Sequence, residues 1–115
     1  MGLLFNITSN DGISIVSFEG RIITESDIEQ LNAKIGANAS DLHTNLVFDF
    51  SKLTHINSTG INFIIRSLTR SRVNNGDLVL CSIIGNVKTL FEIAKVNEIF
   101  SIYSDVSEAI NHFKQ

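Results

Sequence analysis

Two adjacent hydroxyls, Ser58 and Thr59, stand where chemistry is easiest to place. They follow Asn57 and precede Gly60, and then Ile61, Ile64, Ile65 and Leu68 recur at i, i+3, i+4 and i+7. That spacing predicts a helix with one buried face. Side-chain oxygens at a helix start accept hydrogen bonds from its first unpaired amides, so one of Asn57, Ser58 and Thr59 is expected to be the N-cap. The same amides and the helix dipole favour an anion. A serine here is suited to carry a phosphate, with Thr59 as the alternative acceptor. It is equally suited to be a cap and nothing more. Upstream, the apolar run Leu46–Phe50 reads as a buried strand that gives way, around Asp49, to a polar loop. Asp49 would either face a partner or tie that loop down through its amides.

A second feature lies on the helix flank. At 100° per residue, Phe63 falls off the stripe of Ile61, Ile64 and Leu68 and onto the side of Thr59, Arg66 and Arg70. The expectation is an exposed aromatic beside two arginines, a composition suited to anchoring a protein partner. Gly60 would let a partner or a neighbouring backbone approach closely.

Other chemistry is poorly supported. His43, His55 and His112 show no metal-ligand spacing and no carboxylate in register. Cys81 sits inside an apolar run and reads as a small core residue. Gly85-Asn86-Val87 lacks the glycines and lysine of a phosphate loop. No catalysis, metal or cofactor is expected. A net charge of -3 gives no reason to expect nucleic acid or an anionic membrane as partner. One cysteine forbids an internal disulfide and suits a reducing compartment. The N-terminus lacks the pattern of a signal peptide, and no apolar run approaches a membrane span, so a cytoplasmic location is expected.

The elements that must position Ser58 follow from periodicity and turn residues. Leu3–Thr8 and Ile13–Phe18 read as strands joined at Asn10-Asp11-Gly12, a β-hairpin. Gly20-Arg21-Ile22-Ile23 leads out of it. Thr24 or Ser26 caps a first helix with Ile28, Leu31 and Ile35 inside, and Gly36–His43 is its end and a loop. The helix from about Ser58 to Val73 stops at Asn74-Asn75-Gly76-Asp77, with Gly76 expected at the left-handed C-cap position. Leu78–Ile83 is a buried strand. A third helix opens at Gly85-Asn86 and carries Val87, Leu90, Phe91 and Ala94. Ile99–Tyr103 is a last strand, and Ser104 or Asp105 caps a final helix with Val106, Ala109, Ile110 and Phe113 inside. The order β-β-α-β-α-β-α-β-α predicts a single α/β domain over residues 1–115, with a mixed, mostly parallel sheet and about four helices.

That order and the central stretch together resemble the STAS family, the domain shared by bacterial anti-sigma factor antagonists and sulfate transporters. The most specific match is Asp49-Phe50-Ser51, then six residues, then Ser58-Thr59-Gly60 and the apolar helix. Weaker matches are Gly20, the Val87–Phe91 helix and the tail from Glu98-Ile99-Phe100 to Ala109. The resemblance implies that Ser58 is phosphorylated by a serine kinase that is also an anti-sigma factor, and dephosphorylated by a PP2C-type phosphatase. It implies that the unphosphorylated form binds the kinase and frees the sigma factor. Taken with the helix-flank geometry above, it puts Thr24, Asp49, Asn57, Ser58, Thr59, Gly60, Phe63 and Arg66 on or near the expected partner surface. Two positions depart from the family pattern: Asn57 stands where Asp is usual, and Ile23 where an acidic residue is usual. The alternative implied by the same family is a non-catalytic adaptor subunit of a lipid-transport or stressosome-like assembly, and a third reading is a domain that binds a nucleotide or lipid.

Overall fold

The computed structural model describes residues 2–35 and 44–114, so the expected Gly36–His43 loop lies outside the described residues. The chain opens with β1 (Leu3–Asn10) and β2 (Ile13–Ile22), an antiparallel pair. Asp11 and Gly12 between them have φ of 52° and 79°, the two left-handed residues that a two-residue type I′ turn requires. Then follow α1 (Glu25–Ile35), β3 (Asn45–Ile56), α2 (Ser58–Val73), β4 (Leu78–Cys81), α3 (Gly85–Ile93), a short 3-10 turn (Val96–Glu98), β5 (Ile102–Tyr103) and α4 (Val106–Asn111). The element order is the one expected.

Strand order in space equals strand order in sequence, β1-β2-β3-β4-β5, with every pair after the hairpin parallel. Crossovers of one hand between successive neighbours all fall on one side of a sheet. The three crossover helices do share one core: Ile28, Leu31 and Ile35 of α1, Ile61, Ile64 and Leu68 of α2, and Val87 and Phe91 of α3 pack on Val16, Phe18, Phe48, Phe50 and Leu80. Phe18 meets Phe48 edge-on with ring centroids 5.1 Å apart, a favourable aromatic geometry. The opposite face carries a smaller cluster of Ile13, Ile15, Val47, Val79 and Cys81, covered by Ala109 and flanking residues of α4. Among the described residues, no helix is long and apolar enough to cross a membrane.

Several boundaries differ from expectation, each for a local reason. β3 does not stop at Phe50 but runs on to Ile56 beside a β2 that itself continues to Ile22. Two register shifts give β3 an extra residue each, one between Asp49 and Lys52 and one between Leu53 and His55. Such bulges break the period of two, so Ser51-Lys52-Leu53-Thr54-His55 looks like a loop in sequence. β4 ends at Cys81 because Ser82 turns to φ 60°. β5 keeps only Ile102–Tyr103, because Val96–Glu98 coils as a 3-10 turn, and Ala94 is exposed beyond the end of α3.

The end of α2 is a Schellman motif. Gly76 N donates to Ser71 O at 2.7 Å and Asn75 N to Arg72 O at 3.2 Å. The left-handed residue is Asn75, with φ 68°, and not Gly76. Gly76 is needed for a different reason: a Cβ there would lie 2.1 Å from the backbone oxygen of Thr44. Asp77 next to it joins the two faces of the sheet. Its Oδ2 lies 3.0 Å from His112 Nε2, and His112 Nδ1 lies 2.8 Å from the Tyr103 hydroxyl. His112 thus has a carboxylate partner, 35 positions away in sequence and invisible to local spacing. Gly76→Ala is expected to destabilise the fold by about 1–3 kcal/mol, since backbone rather than a flexible side chain must move. Urea denaturation against wild type measures it.

Candidate functional site

Ser58 is reached through the last residues of β3. Ile56 is buried at the strand end, and Asn57 (φ -122°) leaves the strand as the N-cap of α2. Its Oδ1 accepts from Gly60 N at 3.1 Å, and its backbone oxygen accepts from Ile61 N at 2.9 Å. The cap is therefore Asn57, and Ser58 is the first helical residue. Ser58 is exposed, and among the described residues its hydroxyl has no hydrogen-bond partner. The amides of Ser58 and Thr59 are the first two of the helix and have no acceptor within it. An exposed hydroxyl beside unpaired amides at a positive helix end is what remains.

Asn57 does a second job. Its Nδ2 donates to Ile23 O at 2.9 Å, and its backbone N lies 3.4 Å from Ile22 O. One carboxamide thus caps α2 and ties it to the turn after β2. Gly60 presses the same contact from inside: a Cβ would meet Ile56 Cγ1 at 2.6 Å and Ile22 O at 2.9 Å. Gly60 is buried, so its smallness serves close approach of β2 to the helix, not a surface contact.

The turn that Asn57 holds is itself braced by a capping box. Thr24 Oγ1 accepts from Asp27 N at 3.1 Å, while Asp27 Oδ2 accepts from Thr24 N at 2.9 Å and Ile23 N at 3.0 Å. Burial alone would push the Asp27 carboxyl up. The amides of Thr24 and Ile23, the Thr24 hydroxyl and the charge of Arg21 outweigh it, and the pKa falls below the usual 3.8. Thr24 is exposed, caps α1, and is brought next to Asn57 through Ile23.

Two expected site residues lie elsewhere. Phe63 is not at the surface: it is 1% exposed and belongs to the main core. The single-stripe reading fails because α2 has α1 along its flank, where Arg70 reaches across to donate to Ile35 O at 3.3 Å. The buried arc therefore extends to Gly60, Phe63, Ser67 and Ser71. Arg66 remains exposed on the side of Ser58 and Asn62. Asp49 is in mid-strand, not at a strand end, and eight residues of extended chain at roughly 3.3 Å each separate it from Asn57. It faces the α4 side of the sheet, where Oδ1 accepts from Ser51 N at 3.0 Å and Oδ2 from Ser17 Oγ at 3.4 Å. There it lines a groove of about 350 Å³ and mixed polarity, with Asn6, Glu19 and Lys52 beside Leu4 and Phe5. Its neighbour Cys81 is fully buried, and burial first, then the Asp49 charge, pushes the thiol up to about 11. That thiol stays protonated and unreactive.

Among the described residues, no group of three or more His, Cys, Asp or Glu side chains is placed to hold a metal ion.

Two outcomes test this geometry. Asn57→Asp keeps the acceptor for Gly60 but replaces the donor to Ile23 O by a second oxygen. It is expected to cost about 1–3 kcal/mol of unfolding free energy, whereas Asn57→Ser, which retains the cap, costs less. For Asp27, a folded pKa below the unfolded value of about 3.9 means that its contribution is present above that value and lost as pH falls through the folded pKa. The melting temperature of Asp27→Asn should therefore lie below wild type at neutral pH, and the gap should close as pH drops below about 4.

The comparisons with known proteins agree with this architecture. The STAS domain model matches residues 5–109. A protein of Bordetella bronchiseptica, provisionally named anti-sigma factor antagonist BtrV, is 29% identical over 104 residues, which are 90% of this chain and 89% of that one. The crystal structure of an anti-sigma factor antagonist from Mycobacterium paratuberculosis superposes with a TM-score of 0.85 at 19% identity, over 99% of this chain and 96% of that one. The Bacillus cell fate determinant SpoIIAA, in its phosphorylated form, superposes with a TM-score of 0.73 at 17% identity, over 96% and 99% of the two chains. With the family model spanning nearly the whole chain, the chain belongs to the STAS domain family.

Proposed function

We propose that this chain is an anti-sigma factor antagonist that works by partner switching, with Ser58 as its phosphorylated residue. One observation carries the reading: Asn57 takes the capping role, which leaves the Ser58 hydroxyl exposed and unengaged at the first position of α2. A serine serving as the N-cap would have its oxygen committed to an amide. This one is open to a kinase.

In its unphosphorylated form the chain binds a serine-kinase anti-sigma factor through the surface around Thr24, Asn57, Ser58, Thr59 and Arg66. Phe63 and Gly60 shape that surface from beneath. Phosphorylation adds roughly -1.5 to -2 charges and three acceptor oxygens at Ser58. The free amides of Ser58 and Thr59 and the helix dipole accommodate the group, so the fold is unaffected. A partner packed on the helix start would have to desolvate that dianion, and binding is lost. A PP2C-type phosphatase restores the binding form. The names of the relatives support the assignment, as does the location of the site on an exposed helix end. The activity is that of a cytoplasmic binding protein and not an enzyme.

The test uses the serine-kinase anti-sigma factor of the same host. Ser58→Ala should bind it as wild type does and accept no phosphate. Ser58→Asp should bind about tenfold or more weakly, a loss of roughly 1.4 kcal/mol or more. Equal affinity for all three proteins, measured by calorimetry, would reject the switch.

A further inference from the structure

The two edges of the sheet are built in opposite ways. The β5 edge is two residues long, one of the usual means of blunting an edge. The β1 edge is eight residues long, Leu3-Leu4-Phe5-Asn6-Ile7-Thr8-Ser9-Asn10, and contains no charge, no proline and no bulge against β2. Within the strand, the devices that normally keep such an edge from pairing (shortness, charge, proline and bulge) are all missing. Alternate residues turn their N–H and C=O groups away from β2, and among the described residues no hydrogen bond from the β1 backbone reaches any other element. Leu4 is 64% exposed, Ile7 is 36% exposed and Phe5 is half-buried.

We propose that β1 pairs antiparallel with the β1 of a second copy of this chain, making one continuous ten-stranded sheet across a two-fold axis at Asn6. The occupant follows from the self-complementarity of the strand. A two-fold axis normal to the sheet keeps the faces aligned, so only residues of like parity can oppose each other. With Asn6 on the axis, Phe5 opposes Ile7 twice on the helix side. Leu4 opposes Thr8 twice on the α4 side, and Leu3 opposes Ser9. Asn6 opposes Asn6, and a carboxamide carries both donor and acceptor, so it is its own complement. Although each chain carries a net charge of -3, no charged residue lies within the paired strands. This pairing is independent of Ser58, which sits on another element.

Sedimentation of the wild-type protein over rising concentration is expected to show a monomer–dimer equilibrium. Asn6 is exposed, so Asn6→Lys and Asn6→Asp leave the monomer folded. Each alone puts like charges face to face on the axis and should raise the dissociation constant about tenfold or more. An equimolar mixture of the two should recover the dimer as a mixed pair, which happens only if residue 6 faces residue 6. In wild type, hydrogen exchange of alternate β1 amides should slow with concentration. A monomer at every concentration overturns the proposal and leaves the edge to a strand of another protein. A dimer indifferent to both substitutions, or one without protection of β1, also overturns it.

Discussion

The start of α2 hangs on one carboxamide. Asn57 needs both ends of its side chain: oxygen for Gly60 N and nitrogen for Ile23 O, at 3.1 and 2.9 Å. An aspartate could satisfy the first and would repel the second, because Ile23 offers a carbonyl. The departure from the usual family residue at this position is thus matched to the backbone it meets. Two neighbouring features lean on the same contact. Gly60 permits the helix to close on Ile22, and the Thr24–Asp27 capping box fixes the turn whose carbonyl Asn57 reads. A part-buried group left without its partner costs more than the bond itself contributes, so losing the Asn57 donor would leave the Ile23 carbonyl short of one.

How much of this could be read from sequence depended on whether the signal was local. The hairpin turn, the inner face of α1, the Ile61, Ile64 and Leu68 stripe of α2, the element order and the mostly parallel sheet all rest on turn chemistry or on periods of 2 and 3.6, and all are legible. The cap was confined to three residues but not resolved among them, since all three have side-chain oxygens. What chose Asn57 was the carbonyl of Ile23, 34 positions upstream. β3 was cut short because its two bulges scramble the alternation. Periodicity alone puts Phe63 at the surface because it counts one buried stripe, while the flank of α2 packs on α1. The contact of His112 with Asp77 joins the end of α4 to the start of β4 and leaves no trace in local spacing.

The two faces of the sheet divide the work. The helix side carries the phenylalanine core and presents Ser58 at the far end of its longest strand. The other side is smaller, holds the inert Cys81 under α4, and is latched by Asp77, His112 and Tyr103. Asp49 belongs to that second side. The match of Asp49-Phe50-Ser51 to the family is therefore a matter of strand geometry, with Asp49 accepting from the Ser51 amide beside the first bulge. It marks the fold more than the switch.

The sequential strand order has a kinetic consequence. Each strand pairs with the one made just before it, so contacts form between chain neighbours and loop closure stays short for a mostly parallel sheet. A chain emerging from the ribosome can add its sheet one strand at a time, from hairpin to β5. Among the described residues, α4 departs furthest from this pattern on the second face, returning across β5 and β4 to β3. Until α4 is made, Ile13, Ile15, Val47, Val79 and Cys81 lack its cover, and the nascent chain carries an apolar face that this helix must close.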